Sequence, residues 1–436
     1  MTISNSNEFK GRRQQLKQAM GNGIAIIPTS PELIRNRDSH YPYRFDSYFY
    51  YLTGFKEPEA MLVIIAGKVP KSILFCRDKD VEREIWDGFR YGVDAAKALF
   101  AFDEAYSFKQ LDEMMPNLLS NQEKLFFSLG ADAGWDARVM GWLNQVKAQA
   151  RSGVSAPDDI ADVRKLVDEM RLYKSPVEID LMRRSADIAV AAHNRAMQKV
   201  RAGKMEYEIE AEFLHEFYRK GAQSPAYTSI IAGGANACTL HYNANNCELK
   251  DGDLLLIDAG CELDGYASDI TRTFPVNGKF SAAQKDVYAL VLAAQAAAIA
   301  QVNPSNHWNA PHDAALDVLA QGFIDLKLCQ GSKEAVLESG AYRQFYMHRT
   351  GHWLGLDVHD AGEYKDKHGN WRMLQAGMTL TVEPGCYIRP ADNVPQHLWN
   401  IGIRIEDDVL VTQHGCEVLT ASAVKTVAEI EHLMKA

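Results

Sequence analysis

Two aspartates, two glutamates and one histidine have the residue types and contexts to form one reactive site. They are Asp258 in LLLIDAG, Asp269 in YASDITRTF, His352 in GHWLGLDVHDAG, Glu383 in TLTVEPG and Glu406 in GIRIEDD. Four carboxylates and one imidazole suit two adjacent divalent cations. Mn²⁺ fits better than Zn²⁺ because oxygen ligands outnumber imidazole and no thiolate is needed. The set predicts a dinuclear metal centre of the kind that activates water for hydrolysis.

The first two ligands flank a predicted hairpin. Asp258 ends the apolar run LLLID, Asp269 precedes TRTFPV, and Asp264-Gly265 between them is a turn signal. Because both aspartates are nearly equidistant from that turn, we expect them to face each other with Cβ atoms about 5 Å apart. Bare carboxylates that close repel unless a cation separates them. Unrelated acids on a surface hairpin are the alternative.

The alternation of side-chain direction along two further predicted strands indicates the face on which each glutamate lies. In IGIRIE, Arg404 and Glu406 share the face opposite the isoleucines. Arg404 is therefore expected to orient a substrate or a metal-bound carboxylate, and a solvated ion pair is the alternative. In TLTVEPG, Glu383 shares a face with Thr381.

Three histidines cluster within twelve residues, His348, His352 and His359, and His241 lies in the polar segment TLHYNANN. Intervening glycines interrupt any single strand, so periodicity assigns these side chains no face. One metal ligand with further imidazoles for catalysis or substrate binding is the prediction. For any single histidine a structural role is the alternative.

Composition limits the class of protein. The 436 residues, 47% hydrophobic and 24% charged, predict two or three globular domains with a large core. The net charge of −10 disfavours nucleic acid and anionic membranes as partners. Seven cysteines without a C-x-x-C pair predict reduced thiols, and Cys261 is interpreted as a buried residue rather than a ligand. The polar N-terminus and the absence of a long apolar run predict a cytoplasmic protein.

Element patterns predict an α/β N-terminal domain over residues 1–173 and a catalytic domain over 174–436. A turn-rich stretch at 151–163 is expected to approach the linker. The second domain opens with a helix capped by Ser175, Pro176 and Glu178 and ended by Gly203. The remaining predicted segments are strands at 23–28, 60–67 and 72–76, and helices at 8–20, 108–115 and 281–302.

The motifs together resemble the pita-bread metallopeptidases. The order Asp, Asp, His, Glu, Glu matches the metal ligands of that superfamily. Within it the chain most resembles the bacterial aminopeptidase P group, through HYNANNCELKDGDLLLIDAGCELDGYASDITRTF, GHWLGLDVHDAG, LTVEPGCYI, GIRIEDD, and the N-terminal DSHYPYRFDSYFYYLTGFKEPEA. The resemblance implies an α/β N-terminal domain followed by an α+β pita-bread domain like that of creatinase and methionine aminopeptidase.

The same resemblance implies roles for individual residues. Asp258 and Asp269 bind both ions, Asp269 and Glu406 bridge them, and His352 and Glu383 complete the site. The residues that match groups contacting substrate, stabilising the intermediate or lying beside the site are His241, His348, His359, Arg404 and Tyr387. The chain departs from its relatives at Gly351, where many carry serine, without losing a ligand.

The implied activity is release of an N-terminal residue that precedes proline, by a hydroxide bridging two Mn²⁺ ions, with Co²⁺ or Zn²⁺ as substitutes. Glu383 would relay a proton, and His359 or His241 would stabilise the oxyanion. A homo-oligomer, a tetramer, is also implied. The alternatives are a prolidase, a creatinase-type hydrolase and an inactive peptide-binding relative. Trp86 is expected in the core, with contact to the proline ring as the alternative.

Overall fold

The computed structural model describes residues 6–435, and the chain divides into two compact units between residues 171 and 172. The domain boundary expected between residues 173 and 174 lies two positions from this division and stays a prediction. The first unit contains the strands β1 Gly23–Pro28, β2 Ile34–Asn36, β3 Ser39–His40, β4 Met61–Ala66, β5 Lys71–Cys76, β6 Glu104–Ser107, β7 Lys124–Phe126 and β8 Asp159–Ala161. Its helices are α1 Ser6–Met20, α2 Ser47–Thr53, α3 Val81–Asp87, α4 Val93–Leu99, α5 Leu111–Leu119, α6 Ala133–Lys147 and α7 Arg164–Leu172, the last reaching the division.

A six-stranded mixed sheet organises the first unit, in the order β6-β5-β4-β1-β7-β8. The apolar runs predicted as strands form β1, β4 and β5, which pair antiparallel. Their side chains are almost wholly buried, as continuous apolar runs require. This α/β layer agrees with the sequence prediction.

One local prediction for this unit was confirmed and two were wrong. The helix predicted at 108–115 is present, as a 3₁₀ turn at Phe108–Gln110 that continues as α5. The stretch at 151–163 contains β8, an edge strand too short to show periodicity, so it belongs to the sheet. Trp86 is 83% exposed on α3 instead of lying in the core.

The second unit combines antiparallel sheets with long helices. Its sheets have the orders β10-β11-β14, β13-β12-β9, β15-β18-β19 and β16-β17. The strands are β9 Ser224–Pro225, β10 Ile230–Gly233, β11 Leu254–Asp258, β12 Cys261–Leu263, β13 Tyr266–Ala267, β14 Thr271–Pro275, β15 Thr379–Val382, β16 Gly385–Ile388, β17 Ile401–Arg404, β18 Asp407–Val411 and β19 Cys416–Val418. The helices are α8 Pro176–Lys199, α9 Glu206–Arg219, α10 Ala282–Ala300, α11 Ala310–Asp325, α12 Lys333–Ser339 and α13 Val427–Leu433.

Capping explains where α8 begins. The Ser175 hydroxyl accepts from the Glu178 amide, the Glu178 carboxylate accepts from the Ser175 amide, and Pro176 occupies the first turn. The predicted stop at Gly203 was wrong, because extended backbone at Val200 ends the helix three residues earlier. Cys261 is buried, as expected. Among residues 6–435, no helix combines the length and apolar character needed to cross a bilayer.

Candidate metal centre and active site

The hairpin that carries the two aspartates has a different register from the one predicted. Asp258 pairs with Thr271, two positions beyond Asp269. The turn consists of Asp264 and Gly265 alone, with φ values of 50° and 87°, as a tight two-residue hairpin requires. Asp269 lies between β13 and β14, outside regular pairing. Both carboxylates still reach one site, since each contacts the Tyr227 hydroxyl.

Tyr227 joins the two aspartates. Its hydroxyl lies 2.6 Å from Asp258 Oδ1 and 2.5 Å from Asp269 Oδ1. Burial and the neighbouring aspartates raise the pKa of Tyr227 well above its ordinary value, so the phenol keeps its proton and donates it. The backbone here is crowded, since a Cβ on Gly260 would lie 1.7 Å from the Ser268 carbonyl oxygen.

Arg404 and Glu406 project into the same space, although β17 ends at Arg404. Both contact Thr271, whose hydroxyl donates to Glu406 Oε2 at 2.6 Å and accepts from Arg404 Nε at 3.0 Å. Arg404 also pairs with Asp258 Oδ2 at 2.5 Å. The buried guanidinium therefore orients one candidate ligand directly and a second through Thr271.

His352 presents a lone pair to the carboxylates. Its Nδ1 lies 2.9 Å from the Trp353 carbonyl oxygen, which can only accept, so Nδ1 carries the proton in the neutral ring. Nε2 then faces Asp269 Oδ2 at 3.3 Å and Glu383 Oε1 at 3.7 Å. A lone pair facing two carboxylates needs a proton or a cation between them. Metal-binding histidines typically bind the metal through one ring nitrogen and donate a hydrogen bond from the other, as Nδ1 does here.

The charges at this site also fit bound cations. Burial raises the pKa of Glu383 to about 7 and raises the pKa values of Asp269 and Glu406. Burial lowers the pKa of His352, but the carboxylates of Asp269 and Glu383 raise it by more than burial lowers it. The resulting pKa is about 9. Asp269, His352 and Glu406 offer ligand atoms within 4.8 Å of one another. Divalent cations can take the place of the protons that these carboxylates and the histidine otherwise hold.

One cavity of about 720 Å³ collects most of the predicted site residues. The five predicted ligands line it together with His241, His348, His359 and Arg404. The His359 ring lies 4.3 Å from the His352 ring, centroid to centroid. Tyr387 is buried beside the cavity, where its hydroxyl lies 2.8 Å from His348 Nε2.

A directed chain of hydrogen bonds fixes His348. Its Nδ1 lies 2.7 Å from the Arg349 carbonyl oxygen and must donate to it. Arg404 Nη1 donates to the Tyr387 hydroxyl at 2.9 Å, and that hydroxyl in turn donates to His348 Nε2. Burial and the positive charge of Arg404 lower the pKa of His348 to about 4. The ring is thus held neutral in one tautomer at neutral pH.

Several contributing residues were not predicted from the sequence. Tyr227 and Thr271 carry no ligand-like spacing, although Thr271 occupies the position opposite Asp258. Asp408, whose carboxylate oxygens lie 3.2 Å from the Asp269 amide, was visible only as the last residue of IEDD. The aromatic side of the cavity was also missed, and its members are Trp308, Tyr364 and Trp371.

Removing divalent cations should destabilise the protein more at pH 8 than at pH 6. In the metal-free folded chain, Glu383 keeps its proton until the pH approaches its pKa of about 7, whereas the reference value is 4.5. The unfolded chain releases that proton earlier, so stability falls as pH rises between these values. Thermal melting with Mn²⁺ and with EDTA at both pH values measures the difference. Glu383→Gln should reduce the pH dependence, and equal losses at both pH values would contradict this account.

Comparisons with known proteins agree with this architecture. Residues 180–413 match the metallopeptidase family M24, and residues 9–127 match the aminopeptidase P N-terminal domain. The chain is 44% identical to the Xaa-Pro aminopeptidase of Escherichia coli K12, with 100% of this chain and 99% of that protein aligned. It is 45% identical to the Haemophilus influenzae Xaa-Pro aminopeptidase, over 98% of this chain and 97% of the relative.

Solved structures agree over nearly the whole length. The Pseudomonas aeruginosa aminopeptidase PepP has a TM-score of 0.97 and 48% identity, covering 99% of this chain and 98% of that one. Escherichia coli aminopeptidase P in complex with substrate has a TM-score of 0.96 and 44% identity, with the same coverage. The pita-bread fold and the hydrolase class expected from the sequence are confirmed. The chain is a member of the M24 metallopeptidases and carries the N-terminal domain of the aminopeptidase P group.

Proposed function

We propose that this chain is a metal-dependent aminopeptidase that releases the N-terminal residue of peptides whose second residue is proline. The observation that carries the proposal is its 44% identity to the Escherichia coli Xaa-Pro aminopeptidase across both chains. The clustering of carboxylates, histidines and a buried arginine in one cavity supports it. All five proposed ligands and the four further candidate residues His241, His348, His359 and Arg404 line the cavity, which disfavours an inactive relative.

Two Mn²⁺ ions per chain are proposed as the cofactor, with Co²⁺ or Zn²⁺ as substitutes. The carboxylate-rich donor set supports Mn²⁺, and a zinc-substituted Escherichia coli aminopeptidase P has been solved with product. When bound, the ions supply Lewis acidity and lower the pKa of water. The ligands proposed for them are Asp258, Asp269, His352, Glu383 and Glu406.

The side chains divide the remaining work. Glu383, with its pKa raised to about 7 by burial, is suited to accept a proton and pass it to the departing proline nitrogen. His241 or His359 donates a hydrogen bond to the oxygen that becomes negative. His348, held by Tyr387, keeps its ring oriented toward the cavity.

Aromatic side chains give the cavity a surface suited to a proline ring. Trp308 and Tyr364 lie 4.6 Å apart, centroid to centroid, and both line the cavity. An Xaa-Pro bond has no amide N–H for an enzyme to bind. Recognition must therefore use the shape of the ring and of the major trans isomer.

A cytoplasmic homo-oligomer, a tetramer, is the proposed form. Exposed apolar residues on and beside α3 support an interface between copies of the chain. Ile85 and Trp86 are 79% and 83% exposed. The net charge of −10 supports the absence of nucleic acid and anionic membranes from its partners.

Incubation of the Mn²⁺-loaded protein with Arg-Pro-Pro and with Ala-Pro tests the proposal. We expect release of arginine from the tripeptide, measured by chromatography, and no release from Arg-Ala-Ala as a control. Cleavage of the dipeptide alone would identify a prolidase instead. Metal analysis of the same sample should give two ions per chain, a count that a creatinase-type hydrolase would not reach.

A further inference from the structure

Two cationic side chains flank a single indole ring at the cavity. The Arg349 guanidinium carbon lies 5.2 Å from the Trp371 ring centroid, and Lys365 Nζ lies 4.1 Å from the same centroid. Arg349 donates a hydrogen bond to Asn309 Oδ1. Across residues 6–435, neither cation has a carboxylate partner. In a chain with a net charge of −10, this is a local concentration of unneutralised positive charge.

The indole is fixed by a short hairpin. Lys365 and Trp371 form an antiparallel bridge. The Asp366 carboxylate closes the turn by accepting from the backbone amides of His368 and Asn370 at 2.8 and 2.9 Å. The cations that rest on this ring therefore have defined positions before a ligand arrives, which lowers the entropy that binding must overcome.

The positions of Arg349 and Lys365 determine which part of a substrate they contact. This step rests on the proposed function. An aminopeptidase holds one residue before the scissile bond, so everything after proline leaves through the open side of the cavity. Arg349 and Trp371 line that cavity, and the side chains of Arg349 and Lys365 are exposed to solvent. The third residue of the peptide would therefore meet Arg349, and Lys365 on the same indole ring would add its charge.

We propose that Arg349 and Lys365 form a carboxylate-binding subsite for the residue that follows proline. A planar guanidinium binds a carboxylate through two parallel hydrogen bonds, and the ammonium adds a second positive charge. The carboxylate could be the C-terminus of an Xaa-Pro-Yaa tripeptide or an acidic side chain at the third position. In a tripeptide the scissile bond and the terminal carboxylate are two residues, about 7 Å, apart, a span suited to a single cavity.

Three peptides test the subsite and distinguish the two carboxylate sources. We expect kcat/KM for Ala-Pro-Ala to exceed that for Ala-Pro-Ala-amide by about fivefold, mainly through KM, since the ion pair is partly exposed. The advantage should shrink in high salt. Ala-Pro-Glu-amide should share it if an acidic side chain also binds, whereas an advantage of Ala-Pro-Ala alone assigns the subsite to the peptide C-terminus.

Variants connect the effect to the guanidinium. Arg349→Met should bring the acid-to-amide ratio close to one, and Arg349→Lys should retain part of it. Arg343→Met is the matched control, because Arg343 also rests on an aromatic ring, Tyr342 at 5.8 Å, and should keep the wild-type ratio.

Two results separate failure of this subsite from failure of the proposed function. Equal wild-type rates for the free acid and the amide, with no change of ratio in Arg349→Met, would overturn the subsite and leave the aminopeptidase intact. A uniform loss on all three peptides in that variant would likewise reject it in favour of a structural role. Absence of cleavage of every peptide by the wild-type protein would instead reject the aminopeptidase.

Discussion

Replacing Asp269 with alanine should abolish cation binding and peptide hydrolysis together. Asp269 lies within reach of His352 and of the Tyr227 hydroxyl, so its carboxylate occupies the centre of the proposed donor set. Its loss removes a ligand proposed to contact both ions. We expect kcat/KM to fall by more than the roughly 100-fold typical of losing a group that only supports a ligand, and metal analysis to show loss of bound Mn²⁺.

The same substitution should leave the metal-free fold intact. Burial raises the pKa of Asp269, which means that its ionised form opposes folding when no cation is present. Melting of the EDTA-treated variant should therefore be no lower than that of the treated wild type. Asp286→Ala, the same change at an exposed position of α10, is the control and should retain activity. Full turnover by Asp269→Ala would reject the two-metal assignment.

Replacing Lys174 with methionine should cause a large loss of stability, because it breaks one of the buried ion pairs of the second unit. Lys174 Nζ lies 2.9 Å from Asp360 Oδ2, and both side chains are only 1% exposed. Removing one member of a buried ion pair typically costs about 3–5 kcal/mol, because the Coulomb attraction is lost while the other group stays buried. Asp360 directly follows His359, so activity should fall with stability. Urea unfolding of the second unit and kcat/KM measure the two effects.

Two further variants isolate the cause. Lys174→Met combined with Asp360→Leu should recover most of the lost free energy of unfolding, because no buried charge is left. Lys285→Met removes a partly exposed pair with Glu431, whose side chains are 41% and 19% exposed, and should lose less than about 1 kcal/mol. If Lys174→Met unfolds at the same urea concentration as Lys285→Met, the buried pair does not stabilise the unit as described.

Residue types and strand patterns were enough to find the proposed ligands, because acids beside short apolar runs are visible locally. The register around Asp269 was not visible, since it depends on a break between β13 and β14 that no alternation reveals. His352 lies in backbone without regular elements, so neither helical nor strand periodicity could orient it.

Contacts between distant segments explain most of what was missed. Tyr227 reaches Asp258 across 31 residues and Asp269 across 42, and a single aromatic side chain leaves no pattern at such a separation. Arg349 and Trp371 meet because a hairpin folds back over the cavity, which the alternation of polar residues in that segment does not specify. Tertiary packing, and not local propensity, determined these positions.

The contacts that align the carboxylates also determine when the site can form during synthesis. Arg404 reaches Asp258 across 146 residues, and Thr271 reaches Glu406 across 135. When β11 and β14 of a nascent chain have left the ribosome, Asp258 and Thr271 still lack Arg404 and Glu406 until residues 404–406 emerge. Cations can therefore bind strongly only after the late strands have docked, and their binding free energy adds to the folding of the whole unit. Strong metal binding would therefore occur only in a second unit whose folding is complete.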